Sequence, residues 1–212
     1  MSTATQPRQA VVYPDTDGLP MADNTIQWDW MVKIVDELRT QFAGQEVFVA
    51  GNLFWYPVEG DPTTVAAPDA LVAFGRPPGD RPSYQQWRES GVAPQVVFEV
   101  LSPGNTDDEM ADKLDFYDQH GANEFYIIDP YRHTYEAYIR RRGRLRPVLT
   151  ARLNGFVSPG LGVRFEVGDE LTLYTPGGRP FRSRVEREAE LAAEVARLRL
   201  RLRESGIDPD AA

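Results

Sequence analysis

The sequence predicts an α+β domain in which a mixed β-sheet is flanked by helices and followed by a C-terminal helix. Three observations predict this class. Amphipathic helical segments alternate with short segments that are rich in β-branched and aromatic residues. The segment QVVFEVLS is apolar almost throughout, as is typical of a central strand covered on both faces. The 212 residues, 42% of them hydrophobic, are enough for one sizeable core.

The N-terminal part of the chain predicts one helix and two or three strands. Residues 1–22 are polar and are expected to form a flexible lead-in. In TIQWDWMVKIVDELRTQF the apolar residues recur at helical spacing, which predicts the first helix. EVFVAGNLFWYP predicts one or two strands, and PDALVAF predicts a further strand that opens at Pro68-Asp69.

The middle of the chain predicts a strand, a helix and a second strand. A Gly- and Pro-rich excursion, GRPPGDRPSYQQWRESGVAP, precedes the apolar strand QVVFEVLS. TDDEMADKLDFYDQHG predicts a helix that Thr106 caps and that ends before a glycine. EFYIIDP then returns as a buried strand.

The C-terminal part predicts a hairpin, two short strands and a long helix. HTYEAYIRR and RLRPVLTARL form the hairpin, and GVRFEV and ELTLYT are the short strands, so the sheet is mixed. In the final helix apolar residues follow at intervals of four, three and four, namely Leu191, Val195, Leu198 and Leu202. About two heptads are too few for an independent coiled coil. The helix therefore either packs on the body or pairs with a second subunit.

These elements divide the chain into a lead-in over residues 1–22, a single domain over residues 23–178, and the C-terminal helix with a short polar tail over residues 179–212. No stretch approaches the roughly 18 uncharged apolar residues of a membrane helix, and the N-terminus lacks the apolar core of a signal peptide. We therefore expect a cytoplasmic, soluble protein with no membrane partner. The final helix makes a homodimer our expected assembly.

Composition limits the chemistry that the chain can carry. It has no cysteine and two isolated histidines, which excludes thiolate metal sites and leaves little scope for zinc. Any metal must therefore have oxygen ligands. The formal net charge of −9 argues against a protein that coats nucleic acid non-specifically. A small basic patch can still dock a phosphate backbone, so the charge counts against a nuclease without excluding one.

Two carboxylates on predicted strands form a candidate metal site. Glu99 interrupts an apolar strand, where an isolated carboxylate needs a cation, a basic partner or a proton to offset its burial. Asp69 opens PDALVAF, and paired strands lie about 5 Å apart, so the two carboxylates could share one cation. Mg²⁺ is typically held by one or two carboxylates, and the backbone carbonyl of Val100 could add a third oxygen. For Asp69 alone, a turn-forming role after proline is the simpler interpretation.

Lys113 borders the apolar stripe that should press its helix onto the sheet, formed by Met110, Leu114 and Tyr117. Its stem can follow that stripe inward. Its ammonium could then orient or help deprotonate an attacking water and offset charge on a phosphate. A lysine at the border of a helix face more often extends to solvent, so both interpretations stay open.

The strings APDALVAF, GDRPSYQQWRESGVAPQ and VVFEVLSPGNTDDEMADKLDFYDQHGANEFYIIDP follow one another over roughly residues 47–165. In this order the chain resembles the Uma-two-type restriction endonucleases of the PD-(D/E)XK nuclease superfamily, formerly a domain of unknown function. The resemblance implies a nuclease-like domain over residues 23–178, with a restriction-endonuclease-like core of mixed sheet flanked by helices. It also implies Mg²⁺-dependent cleavage of nucleic acid.

The superfamily pattern further implies which residues act. One acidic residue opens a strand, where Asp69 matches, and Glu99 matches the acidic residue of the next strand. A lysine would follow two residues later, but Leu101 stands there. The resemblance implies that in this branch the lysine has moved to the following helix, where Lys113 matches. Some members carry a further glutamate from the first helix, for which Glu37 is the candidate.

Other polar and aromatic features have simpler explanations. The run from Arg140 to Arg146 could contact phosphates, although a solvated hairpin tip explains it more simply. Tyr84 and Trp87 in the excursion could stack on a base, but aromatic packing that anchors the loop explains them equally well. His120, near a helix end, is expected to stabilise the C-terminal dipole.

Three functional hypotheses follow. The first is a Mg²⁺-dependent endonuclease, with Mn²⁺ able to substitute, that hydrolyses phosphodiester bonds in nucleic acid, with DNA favoured over RNA. The second is a catalytically inactive nuclease-fold module that binds or regulates, which the acidic net charge and Leu101 favour. The third is an assembly component that uses the apolar residues of the final helix.

Overall fold

The computed structural model describes residues 11–16, 18 and 21–207. The predicted lead-in therefore lies partly outside the described residues. Within it, the ring of Tyr13 packs against the rings of Tyr56 and Trp87. This part of the lead-in is thus held against the domain, although it contains neither helix nor strand.

The described chain forms three α-helices and eleven β-strands. The helices are α1 (Thr25–Gln41), α2 (Asp107–His120) and α3 (Arg184–Glu204). The strands are β1 (Val47–Ala50), β2 (Trp55–Tyr56), β3 (Ala70–Phe74), β4 (Tyr84–Gln85), β5 (Val96–Val100), β6 (Glu124–Asp129), β7 (Thr134–Arg141), β8 (Arg144–Pro147), β9 (Phe156–Val157), β10 (Arg164–Val167) and β11 (Leu171–Tyr174). Short 3₁₀ turns lie at Gln86–Glu89 and Thr150–Arg152.

Six strands form the central sheet, in the order β1-β3-β5-β6-β7-β8. β5 and β6 are parallel, whereas the other neighbouring pairs are antiparallel. α2 makes the crossover from β5 to β6 that a parallel pair needs. The sheet is mixed and flanked by helices, with a helix at the C-terminal end, which confirms the predicted α+β class.

Alternation of side chains along β5 separates two cores. Phe98 and Val100 face α1, where they join Leu38 in one apolar cluster. Val97 faces α2 and joins a second cluster with Met110. Because Glu99 lies between Phe98 and Val100, the pleat directs its side chain to the α2 face. A partner for the buried Glu99 carboxylate must therefore come from α2 rather than from α1.

Local contacts at the helix ends and at the hairpin turn show where these elements begin and end, and the predicted cap Thr106 and the glycine after α2 are confirmed. Asn24 caps α1, and the Thr106 hydroxyl accepts a hydrogen bond from the third residue of α2. α2 ends at Gly121, whose φ of 105° lies in the left-handed region that favours glycine. Arg142 and Gly143 both have positive φ in the two-residue turn between β7 and β8, a conformation that matches the twist of a hairpin.

The C-terminal strands depart from the prediction. GVRFEV and ELTLYT contribute β10 and β11, which form a separate three-stranded sheet with β9 instead of extending the central one. Phe165 and Leu173 of this small sheet pack into the cluster on the α1 face. The second hairpin strand, predicted over RLRPVLTARL, ends at Pro147, although the N–H of Val148 still donates to the carbonyl of Ala137 in β7.

The final helix is solvent-exposed. Residues 179–182 are tied to the body through Arg179, which contacts α1, and Phe181, which pairs with β11 through its backbone. α3 begins after them with a capping box on Ser183 and has no buried residue. The sequence left two interpretations of this helix open, and the structure does not show the first of them, in which its apolar face packs on the body. No helix among the described residues has the length and apolarity to cross a membrane.

Candidate active site

Three segments of the chain meet at the carboxyl end of β5. β3 begins at Ala70, opposite Phe98, and therefore stops short of Val100. The carboxylate of Asp69 accepts a hydrogen bond from the N–H of Val100 at 2.7 Å. The amide of Gln27 in α1 donates to the carbonyl of Val100 at 2.9 Å. These two side chains satisfy backbone groups that a longer β3 would have paired.

Glu99 is 2% exposed and receives two hydrogen bonds from α2. Nζ of Lys113 donates to Oε2 of Glu99 at 2.9 Å, and the hydroxyl of Tyr117 donates to Oε1. Lys113 also lies 3.8 Å from the carboxylate of Glu109, one turn earlier on α2. α2 thus brings Lys113, the lysine candidate, into direct contact with Glu99.

Opposing effects act on the Glu99–Lys113 pair. Burial raises the pKa of the Glu99 carboxyl, whereas Lys113 and Tyr117 act to lower it. Burial by itself would lower the pKa of Lys113, but the Glu99, Asp69 and Glu109 carboxylates together outweigh burial, so the pKa is raised. At neutral pH the two groups form an ion pair, because two donors hold the Glu99 oxygens in place and stabilise the carboxylate.

Asp69 is 7% exposed, and its carboxyl is much less acidic than an ordinary aspartate. Burial, followed by repulsion from Glu99, raises its pKa from 3.8 to about 8, although the N–H of Val100 and the ammonium of Lys113 act in the opposite direction. Asp23 adds to the repulsion. The Glu99 carboxylate is therefore close enough to disfavour a charge on Asp69.

The chemistry of these donors suits a hard divalent cation. Asp69, Glu99 and the Val100 carbonyl offer oxygen atoms, the ligands that Mg²⁺ prefers, and a cation would relieve the repulsion between the two carboxylates. Among the described residues no group of three or more Asp, Glu, His or Cys side chains is placed to hold a metal. A cation here would depend on two carboxylates, backbone oxygen and water, which is the usual way in which proteins bind Mg²⁺.

The raised pKa of Asp69 makes stability depend on pH. Its carboxyl gains a proton on folding between its unfolded pKa of 3.8 and its folded pKa of about 8, so stability falls as pH rises through that interval. Asp69→Asn keeps an oxygen acceptor for Val100 and removes the charge. In metal-free buffer at about pH 9 we expect the variant to be more stable than the parent, on the order of 3 kcal/mol in urea unfolding.

The difference between the Asp69→Asn variant and its parent should vanish below about pH 4, where the carboxyl is neutral in both states. An Asp69→Asn variant that is less stable than the parent at every pH would mean that Asp69 is needed as a charged cap. Added Mg²⁺ should stabilise the parent at high pH and leave the variant unchanged, because only the parent keeps both carboxylates.

Glu37, the candidate from the first helix, is not brought to this site. It is fully buried on α1, where its carboxylate accepts hydrogen bonds from Arg179 at 2.9 Å and from the N–H of Arg182 at 3.1 Å. Among the described residues no hydrogen bond or ion pair joins Glu37 to Asp69 or Glu99. Its contacts fasten the segment before α3 to the body.

The aromatic residues of the excursion anchor it. Tyr84 is completely buried, stacks on Phe48 and donates its hydroxyl to the carbonyl of Val92. It is therefore not available to stack on a base. Trp87 is half-buried beside Tyr13. Of the two interpretations that the sequence left open, the structure supports loop anchoring for Tyr84.

In the part of the chain that the structure describes, no hydrogen bond or ion pair joins the arginine run or His120 to Asp69 or Glu99. Within the run, Arg140 and Arg144 form ion pairs with Asp118 of α2, and the hairpin tip is exposed. The ring of His120 packs against Trp55, and burial lowers its pKa. A lowered pKa favours neutral imidazole, which weakens the expected interaction with the dipole of α2.

Sequence reasoning missed three contacts of the site. Tyr117 follows Lys113 by four residues and therefore shares its helix face, a signal that could have indicated a second donor to Glu99. Gln27 reaches Val100 across 73 residues, and nothing in the local sequence indicates that contact. The hydroxyl of Ser102, two residues after β5, donates a hydrogen bond to the carboxylate of Asp23 and so holds it beside the site.

Comparisons with known proteins agree with this geometry at the level of fold and family. The Uma2 family, described as "Putative restriction endonuclease", matches residues 22–173. A crystal structure described as "a putative nuclease belonging to DUF820", from Anabaena variabilis, matches with a TM-score of 0.50 and 14% identity, over 66% of this chain and 75% of that one. At this identity the likeness shows a shared fold. No curated protein matches the chain.

Proposed function

The chain belongs to the Uma2 family of restriction endonuclease-like proteins, and from this premise we propose that it is a Mg²⁺-dependent endonuclease that hydrolyses phosphodiester bonds, with DNA favoured over RNA as the substrate. The observation that carries the proposal is the convergence of Asp69, Glu99 and Lys113 at the end of β5. Such a hydrolysis joins the oxygen of water to phosphorus and breaks the bond to the leaving oxygen, which takes up a proton. The site must therefore manage both negative charge and a proton.

Asp69, Glu99 and the carbonyl of Val100 are the residues that would hold the cation. When bound, a divalent cation would supply positive charge against the phosphate and make a nearby water more acidic. Without it the site disfavours a phosphate even when Asp69 is protonated, because the Asp23, Glu99 and Glu109 carboxylates outnumber the Lys113 ammonium among the described charges that act on the site. This excess of negative charge supports dependence on a metal.

The charge state of Lys113 supports an electrostatic role. Its pKa is raised, so at neutral pH its Nζ carries three protons and can donate hydrogen bonds but cannot accept a proton. A phosphate oxygen is an acceptor that an ammonium can reach by partly exchanging its contact with Glu99. We therefore assign Lys113 to stabilising charge on the phosphate and not to deprotonating water.

Tyr117 and Gln27 have positioning roles in this proposal. The buried hydroxyl of Tyr117 fixes the orientation of the Glu99 carboxylate, and the contact with Glu99 is among the causes that raise its own pKa well above 10.0. Gln27 holds the carbonyl of Val100 from the side of α1. Carboxylates whose orientation is preset lose less free energy when they bind a cation.

The proposal is tested by incubating purified full-length protein with supercoiled plasmid, single-stranded DNA and RNA. We expect nicking of DNA in Mg²⁺ or Mn²⁺, and none in EDTA. Asp69→Asn should lose both the cleavage and the binding of Mg²⁺ measured by calorimetry. Cleavage that persists in EDTA would contradict the role of a metal, and cleavage that Asp69→Asn retains would contradict the site.

One observation favours the alternative of an inactive nuclease-fold module. Both oxygens of Glu99 already have donors, and Asp69 caps the N–H of Val100, so each carboxylate has a structural role without any metal. This alternative predicts nucleic-acid or partner binding that survives the loss of both carboxylates. Binding of Mg²⁺ that depends on Asp69 would count against it.

A further inference from the structure

α3 carries an apolar seam that the described part of the chain leaves uncovered. The seam consists of Leu191, Val195, Leu198 and Leu202, which are 66%, 49%, 46% and 39% exposed. Their spacing of four, three and four residues places them on one face of the helix. A scattered exposed leucine needs no explanation, but four on one face form a continuous strip about 17 Å long.

The body holds α3 at its first turns. Arg187 forms an ion pair with Asp36 at 3.2 Å, and Arg182, just before the helix, pairs with Glu190 at 2.7 Å. The seam begins after these contacts. The start of α3 is therefore tied to α1 while its apolar face remains open to a partner.

Charge along α3 is divided between its two halves. The first half, residues 184–194, carries four glutamates and two arginines, so it is net negative. The second half, residues 195–204, carries four arginines and one glutamate, so it is net positive. Two such helices placed side by side in the same direction bring like charges together. Placed in opposite directions, they bring the acidic half of each against the basic half of the other.

We propose that α3 pairs in antiparallel orientation with α3 of a second copy of this chain. In the register that centres the seam, Leu191 packs against Leu202 of the second copy, and Val195 packs against Leu198. Glu194 then lies beside Arg201 of the second copy. The order of acidic and basic residues also suits the dipole of a single helix, but that explanation accounts for no apolar seam.

The pairing is tested by sedimentation velocity on the full chain. We expect a dimer for the parent and a monomer for Val195→Glu/Leu198→Glu, because that variant places two charges inside the seam. Leu200→Glu is the matched control: Leu200 is 57% exposed on the opposite face of α3, so this variant should remain dimeric. Circular dichroism should show equal helix content in all three proteins.

A monomeric parent would overturn the proposal, as would a Val195→Glu/Leu198→Glu variant that stays dimeric. A Leu200→Glu variant that dissociates as completely as the seam variant would show that added charge, and not the seam, controls assembly. These substitutions leave Asp69, Glu99 and Lys113 unchanged, so failure of the pairing and failure of the proposed nuclease function are separate results.

Orientation is tested with single cysteines, since the parent chain has none. Chains carrying Leu191→Cys and chains carrying Leu202→Cys are mixed and oxidised. Antiparallel pairing predicts a disulfide between the two different variants and little between identical ones. Disulfides that join only identical chains would indicate parallel pairing and overturn the antiparallel proposal.

Discussion

Glu99→Gln is expected to reduce Mg²⁺-dependent cleavage of DNA by at least about 100-fold while the fold is retained. Glutamine has nearly the shape of glutamate and keeps an oxygen for the hydroxyl of Tyr117. It removes the negative charge that would help to hold a cation. Initial rates of plasmid nicking measure the effect, and unfolding in urea verifies that the variant is folded.

Glu136→Gln is the matched control for Glu99→Gln. Glu136 lies level with Glu99 in the sheet, since Ile127 of β6 pairs with both, but it is exposed on β7. This control variant should cleave at the parental rate. Equal cleavage by Glu99→Gln and the parent would remove Glu99 from the proposed site. If Glu136→Gln lost as much cleavage as Glu99→Gln, the loss would follow from removing a negative charge anywhere on this face of the sheet and not from the position of Glu99.

Lys113→Met is expected to destabilise the protein by about 2 kcal/mol as well as to lower cleavage. Methionine keeps an unbranched apolar side chain in place of the lysine stem but leaves the buried Glu99 carboxylate without its cationic partner. Removing one member of a fully buried pair costs about 3–5 kcal/mol. Because the side chain of Lys113 is 28% exposed, solvent offsets part of that cost.

The double variant Glu99→Gln/Lys113→Met separates the ion pair from simple packing. With both charges removed we expect most of the lost stability to return, so the double-variant cycle in urea unfolding should show coupling of about 1–3 kcal/mol. If the double variant is as unstable as Lys113→Met, the stem of Lys113 and not its charge supports the fold. Cleavage should stay low in both variants, because neither regains the ammonium.

The sequence was sufficient to predict β5 and the burial of Glu99. A carboxylate inside QVVFEVLS interrupts a pattern that burial on both faces requires, and the structure leaves that carboxylate 2% exposed. The helix α2 was also predicted, because Thr106 and Gly121 mark its ends locally. Those two elements left open whether Lys113 reaches the sheet or extends to solvent, and the family resemblance singled it out. In the structure its Nζ contacts Glu99.

Contacts distant in sequence were predicted less well. Glu37 was the candidate from the first helix, but Arg179 and Arg182, more than 140 residues later, take its carboxylate. Gln27, on the same helix, is the residue that reaches the end of β5. Gln27 and Glu37 are both polar residues of α1, so the local sequence does not distinguish them. Only the packing of α1 against the sheet decides which of them reaches the end of β5.

By itself the sequence determined the order and type of the main elements, the metal ligands that the chain can offer, and the position of Glu99 in a buried strand. These follow from composition and from periodicity over a few residues, which act locally. The tertiary structure alone decided that Asp69 caps Val100 beside Glu99, that Tyr117 joins Lys113 on the same carboxylate, and that the seam of α3 stays exposed. The physical reason is that these contacts depend on strand register and on the way the helices pack, and both join residues far apart along the chain.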